Sequence, residues 1–170
     1  MCGLTINAHG FDFEVGRWTS TVSRLAVPLS GSDEWLHYRG TTIVYPLWPG
    51  AYAVELDVCG DAGRFRAFSL RMFDDSSDEW LLRTGVPGSA DLDPPLRGGF
   101  ADGIGEFVGP DSYRGTPVLV RFVIRDITPT SARFEQYFST DGGESFELNL
   151  FTEDVRAGGG TGHRDHPRAV

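Results

Sequence analysis

From Arg121 to Asn149 apolar and polar side chains alternate residue by residue, interrupted at Thr128-Pro129-Thr130 and at Asp141-Gly142-Gly143. A period of two, bounded by proline and by Asp-Gly-Gly, predicts three antiparallel strands joined by tight turns, with one face of the meander buried. The same reading along the chain predicts strands near 16–24, 34–45, 51–58, 65–73, 79–84, 99–108, 117–127, 131–139 and 146–155. Turn chemistry separates them at Ser30–Asp33, Trp48-Pro49-Gly50, Gly60–Gly63, Asp74–Asp78 and Tyr113–Pro117. No segment carries a convincing helical period, so the expected fold is all-β, an antiparallel up-and-down barrel of about nine to ten strands. Val86–Gly99 contains Pro87, Pro94 and Pro95, which excludes a central strand and suits a segment folded over a barrel mouth. Residues 1–9 read as an N-terminal segment, 10–156 as the barrel, and the glycine-rich 157–170 as a flexible tail.

Composition narrows the function classes. A chain of 170 residues builds one core, and 22 Gly with 10 Pro fits a turn-rich β protein. A net charge of −9 argues against nucleic acid and anionic membranes as partners, because phosphate recognition needs clustered cations. All 15 basic residues are Arg, which removes lysine Schiff-base chemistry and the lysine of a phosphate-binding loop. Cys2 and Cys59 lack metal-type spacing and read as free thiols. With neither a leader-like segment nor a membrane-length apolar run, the expected location is the cytoplasm. No metal or cofactor is expected. His163-Arg164-Asp165-His166 sits in the tail, Asp74–Glu79 lacks the central Gly of a calcium loop, and Gly103 and Gly105 lack the βαβ context of a dinucleotide site. His9 and His37 find no serine in a nucleophile-elbow context, which sets aside a hydrolase triad.

Candidate chemistry comes from strand parity. Val118, Val120, Phe122 and Ile124 share one face of their strand, and Arg121 and Arg125 the other. In the next strand Ala132, Phe134, Gln136 and Phe138 oppose Arg133, Glu135 and Tyr137, and either set could face a cavity. Arg71 shares a face with Ala67, Ser69 and Phe73. An arginine on such a face implies a buried carboxylate partner or an anionic ligand. One expectation is a structural ion-pair network of Arg71, Arg121 and Glu135 across neighbouring strands. Others are that these residues orient a ligand, or that Glu135 transfers protons from an apolar cavity. Ser32-Asp33-Glu34-Trp35-Leu36 recurs as Ser77-Asp78-Glu79-Trp80-Leu81, so Trp35 and Trp80 read as strand-opening tryptophans that fill a barrel end or wall a pocket.

Phe11-Asp12-Phe13-Glu14-Val15-Gly16-Arg17-Trp18 places a glycine where a chain can bend sharply and a tryptophan where it can plug a barrel. This opening resembles the Gly-x-Trp signature of lipocalins and other calycin-type barrels. Together with Arg71–Asp74, the nearby Trp80 and Arg121–Gly143, it resembles more closely the bacterial DUF1579 family, over about residues 10 to 156. The resemblance implies a lipocalin-like barrel with an internal cavity, and no particular reaction. Phe134 and Phe146 stand where such sequences usually carry Trp, and Arg83-Thr84 replaces a more aromatic stretch, which changes what a cavity would accept.

The expected function is therefore the binding of a small, mostly apolar or aromatic molecule inside the barrel. The expected ligand-binding residues are Trp35, Arg71, Trp80, Arg83, Arg121, Phe134, Gln136, Tyr137 and Asn149, with Glu135 and Arg71 as candidate catalytic groups. The alternatives are a cofactor-independent cyclase or isomerase of a polyketide- or terpenoid-like molecule, and a structural barrel with a filled core.

Overall fold

In a computed structural model of the chain, which describes residues 6–158, the alternating segments form ten strands. These are β1 (Gly16–Leu25), β2 (Trp35–Trp48), β3 (Ala51–Gly60), β4 (Gly63–Asp74), β5 (Glu79–Gly85), β6 (Leu96–Ala101), β7 (Ile104–Tyr113), β8 (Thr116–Arg125), β9 (Ser131–Ser139) and β10 (Glu147–Arg156). Each is antiparallel to its neighbours, and the order β1-β10-β9-β8-β7-β6-β5-β4-β3-β2 closes into a barrel. Closure falls to β1, which pairs with β2 from Gly16–Val44 to Leu25–Trp35 and with β10 from Trp18–Arg156 to Arg24–Leu150. The all-β up-and-down expectation holds.

The run expected as one strand over 99–108 is a hairpin. Asp102 and Gly103 both take positive φ, 52° and 76°, the two-residue turn that matches strand twist. The flanking Phe100, Ile104 and Phe107 continue the apolar pattern through the turn and mask it.

Aromatic side chains close one end of the barrel. Two short 3₁₀ turns, Ile6–His9 and Asp12–Glu14, lay the N-terminal segment across it. There the Phe11 ring centroid lies 4.7 Å from that of Trp80, 5.0 Å from Phe100 and 5.6 Å from Phe107. Phe11, Trp80 and Phe107 are fully enclosed, and each such burial contributes roughly 1.5–3 kcal/mol. Gly16, at φ 120°, turns the chain from the second 3₁₀ turn into β1, a conformation L side chains rarely adopt. Trp18 then donates its indole N–H to the Glu14 carbonyl at 2.7 Å, and the Arg156 guanidinium stacks 4.1 Å over its ring. Arg156 also donates to the carbonyls of Val15 and Phe13 at 2.8 and 2.7 Å, tying the end of β10 to the chain's opening.

The other end is less complete. β5 and β6 are the shortest strands, at 7 and 6 residues. The β4–β5 ladder runs only from Phe68–Gly85 to Asp74–Glu79, so residues 63–67 have no ladder partner on that side. The segment 86–95 begins and ends at this gap. Its Asp93 N–H is bonded to the Thr84 carbonyl at 2.8 Å, and Leu92 and Phe68 pack over Gly85. The expectation that 86–99 as a whole stays outside the sheet is corrected at its end: the prolines stop at Pro95, and Leu96–Gly99 enter β6, paired with β5 and β7.

Among the described residues no helix is long and apolar enough to cross a membrane, and no group of three His, Cys, Asp or Glu side chains could hold a metal ion. Cys59 is an exposed free thiol. Cys2 and the His163–His166 group lie outside the described residues.

Candidate functional site

Inward-facing side chains of eight strands enclose a cavity of about 180 Å³ between the aromatic plug and a second apolar cluster built on Val22, Tyr38 and Val58. Its walls are mostly apolar, with Val54 and Leu56 from β3, Phe65 and Ala67 from β4, Leu82 from β5, Leu96 from β6, Phe122 from β8, Phe134 from β9 and Leu150 from β10. Polar groups are a minority. Thr42, Ser69, Thr84 and Thr152 supply hydroxyls, and Gln136 an amide whose N–H donates to the Asn149 side-chain carbonyl at 3.0 Å.

Charge is confined to the floor. The Arg71 guanidinium donates to the Glu14 carboxylate in an ion pair whose side chains are 5% and 2% exposed. The guanidinium also lies 4.4 Å over the Phe11 ring, so the aromatic plug supports it from below. Asp154 shares this floor from β10. It stands opposite Ser20 in the β1–β10 ladder, and the Ser20 hydroxyl bonds that of Thr42 at 2.6 Å. Burial pushes the Glu14 carboxyl up and outweighs the attraction of Arg71, while the same burial pushes Arg71 down. Asp154 is pushed up to about 7, by burial first and by Glu14 as well, against the lowering influence of Ser20 and Arg71. Two floor atoms have no hydrogen-bond partner, Arg71 Nε and Asp154 Oδ1, and the Asn149 amide nitrogen on the cavity flank has none either.

Of the residues expected at the site, Arg71, Phe134 and Gln136 line the cavity. Asn149 sits at a bulge between Leu148 and Leu150, and reaches the cavity only through Gln136. Trp80 points inward but belongs to the plug. Trp35 is a correction: it lies on the outer face, its ring 5.4 Å from that of Phe151, because the interior of β2 follows the even positions that include Tyr38 and Thr42. The two recurring tryptophans thus do not wall one pocket. Trp80 instead shares the inward parity of Leu82 and Thr84 on β5.

Arg83, Arg121 and Tyr137 are also on the outside, each beside an inward neighbour, Leu82, Phe122 and Gln136. The expected network of Arg71, Arg121 and Glu135 is absent among the described residues. Arg71 pairs inside with Glu14, and Arg121 pairs outside with Glu106 at 3.1 Å. Glu135 accepts from Arg133 at 2.6 Å and from the Tyr137 hydroxyl at 2.8 Å on the outer face. Burial raises the Glu135 carboxyl, but these bonds and the charges of Arg133 and Arg125 together hold it below the usual range. That is the reverse of the elevated acid expected of a cavity base.

Sequence reasoning missed Glu14 and Asp154. Parity places Asp154 on one face with Leu150 and Thr152, which the barrel turns inward, but Glu14 belongs to no strand and carries no periodic signal.

No family model matches the chain, and no curated protein does. Among solved structures it is similar to the S-type phycobiliprotein lyase CPES from Guillardia theta, at a TM-score of 0.57 and 14% identity, covering 88% of this chain and 92% of that one. It is less similar to EF1p2_mFAP2b bound to DFHBI, at a TM-score of 0.49 and 10% identity, with 88% and 98% covered. A redesigned β barrel, mFAP0, bound to DFHBI, follows at 0.48 and 12%, with 85% and 99% covered. At such identities the likeness is one of fold.

Proposed function

We propose that the chain binds a small, mostly apolar molecule inside the barrel. The observation that carries this reading is the 180 Å³ cavity, walled mostly by aliphatic and aromatic side chains. An apolar cavity of roughly 150 Å³ accepts a benzene-sized molecule, so the ligand is about one ring, or a short branched chain, in size. The motif resemblance to DUF1579-type sequences supports the same reading, since it implies a barrel with an internal cavity. A polyketide- or terpenoid-sized substrate exceeds this volume.

The test fills the cavity. Ala67 faces it from β4, and Ala67→Trp places a large side chain in the space a ligand would occupy. Titration with one-ring apolar compounds, followed by nuclear magnetic resonance, is expected to show saturable single-site binding to the parent chain. The variant is expected to lose that binding and keep its melting temperature. An absence of saturable binding to the parent chain would sink the reading. A second reading, proton-transfer catalysis, is favoured by one observation, a buried carboxyl, Asp154, that lines the cavity with its Oδ1 unpaired and that burial pushes up. Conversion of a bound compound, lost in Asp154→Asn while its binding persists, would establish it.

A further inference from the structure

We propose that the ligand is a neutral compound with a hydroxyl group, a phenol or an alcohol of about one ring, whose hydroxyl is held at the floor between Arg71 Nε and Asp154 Oδ1. The inference rests on the cavity-binding reading and adds the chemistry of the ligand's head.

The argument is one of unmet hydrogen bonds. Arg71 and Asp154 are 4% and 3% exposed, both line the cavity, and the named atoms have no partner. Orphaned polar atoms are costly in a buried site. Arg71 Nε can only donate, and an ionised Asp154 Oδ1 can only accept. A group that meets both must accept one hydrogen bond and donate another, which a single hydroxyl does.

Charge excludes the alternatives. Glu14 already neutralises Arg71 through its ion pair. An incoming carboxylate would add an anion beside Glu14 and Asp154 in an apolar enclosure, and an incoming ammonium would meet a guanidinium that cannot lose its proton. Neither charged head also supplies the missing complement, because an ammonium cannot accept from Arg71 and a carboxylate cannot donate to Asp154. The apolar wall above the floor, Leu82 and Phe134 among it, takes the ring.

Asp154 also gives the site a pH signature. The groups facing it are Glu14 from the N-terminal segment, Arg71 from β4 and the Ser20 hydroxyl from β1. A ligand hydroxyl that donates to Asp154 stabilises its ionised form, so affinity rises as pH is raised through the range in which Asp154 titrates.

The experiment compares four ring compounds of similar size on the full chain by calorimetric titration: phenol, toluene, benzoate and benzylammonium. Phenol is expected to bind roughly tenfold more tightly than toluene, with the two charged probes weaker than both. Phenol affinity is expected to rise severalfold from about pH 6 to about pH 8, with toluene unchanged. Asp154→Asn should narrow the difference between phenol and toluene and remove the pH dependence of phenol binding. If that variant does not fold, the comparison of probes and pH on the parent chain decides the matter alone. Equal binding of phenol and toluene would overturn the hydroxyl assignment and leave the apolar cavity reading standing. Preference for benzoate or benzylammonium would overturn it in favour of a charged head. Binding of none of the four would overturn both.

Discussion

At the level of single residues, the floor of the cavity is where the chain departs from a well-satisfied interior. A buried ion pair between Arg71 and Glu14 contributes little net stability once desolvation is counted, and an accompanying buried carboxyl contributes less than none while charged. Asp154 makes this measurable. Its carboxyl is pushed up to about 7 in the folded state, against 3.8 for an ordinary aspartate. The folded protein therefore holds this proton more tightly than the unfolded chain. Between about pH 4 and about pH 7 the contribution of Asp154 to stability falls as pH rises, and above that range its penalty is constant at a few kcal/mol. Asp154→Asn is expected to flatten this slope and raise stability at about pH 8, read from denaturant midpoints across pH. An unchanged slope would mean that other groups set the acid response. Arg71 was legible because Ala67, Ser69 and Phe73 share its face. Its partner Glu14 was not, because a residue in a 3₁₀ turn is placed by the fold around it, without any period of its own.

The strands illustrate how far a two-residue period reaches. Eight of the nine expected runs correspond to single strands, shifted at their ends by a residue or a few, because inward positions must be apolar wherever the barrel is packed. The period gives two faces without saying which is inside. For β9 that ambiguity decided between Gln136 and its outward neighbours Glu135 and Tyr137, and only the closed barrel resolves it. The ninth run hid the β6–β7 hairpin. Its tight approach depends on Gly98, where an added Cβ would fall 1.8 Å from the Glu106 carbonyl oxygen on β7. Backbone cannot yield there as a side-chain tip can. Gly98→Ala is expected to destabilise the fold by about 1–3 kcal/mol and to open the neighbouring amides to hydrogen exchange. A neutral substitution would show that β6 can slide away from β7 without cost.

For the molecule as a whole, a site assembled from Glu14, Arg71 and Asp154 draws on both ends of the chain, and the Arg156 latch across Trp18 holds those ends in register. Long-range convergence of this kind leaves no local trace in sequence, which is why the fold was more readable than its floor. The short β5 and β6 also affect how one molecule meets another. Residues 63–67 of β4 offer backbone donors and acceptors that no strand of the same chain takes up on that side, and an open ladder of this kind is a template for a foreign strand. Arg64 and Arg66 project outward along it, both exposed, while Phe65 and Ala67 face in. Replacing both arginines by valine is expected to make association rise more steeply with concentration than in the parent chain, measured by light scattering after size exclusion. Charge on an uncovered ladder is a recognised obstacle to edge-to-edge polymerisation, and that is the property the double substitution removes.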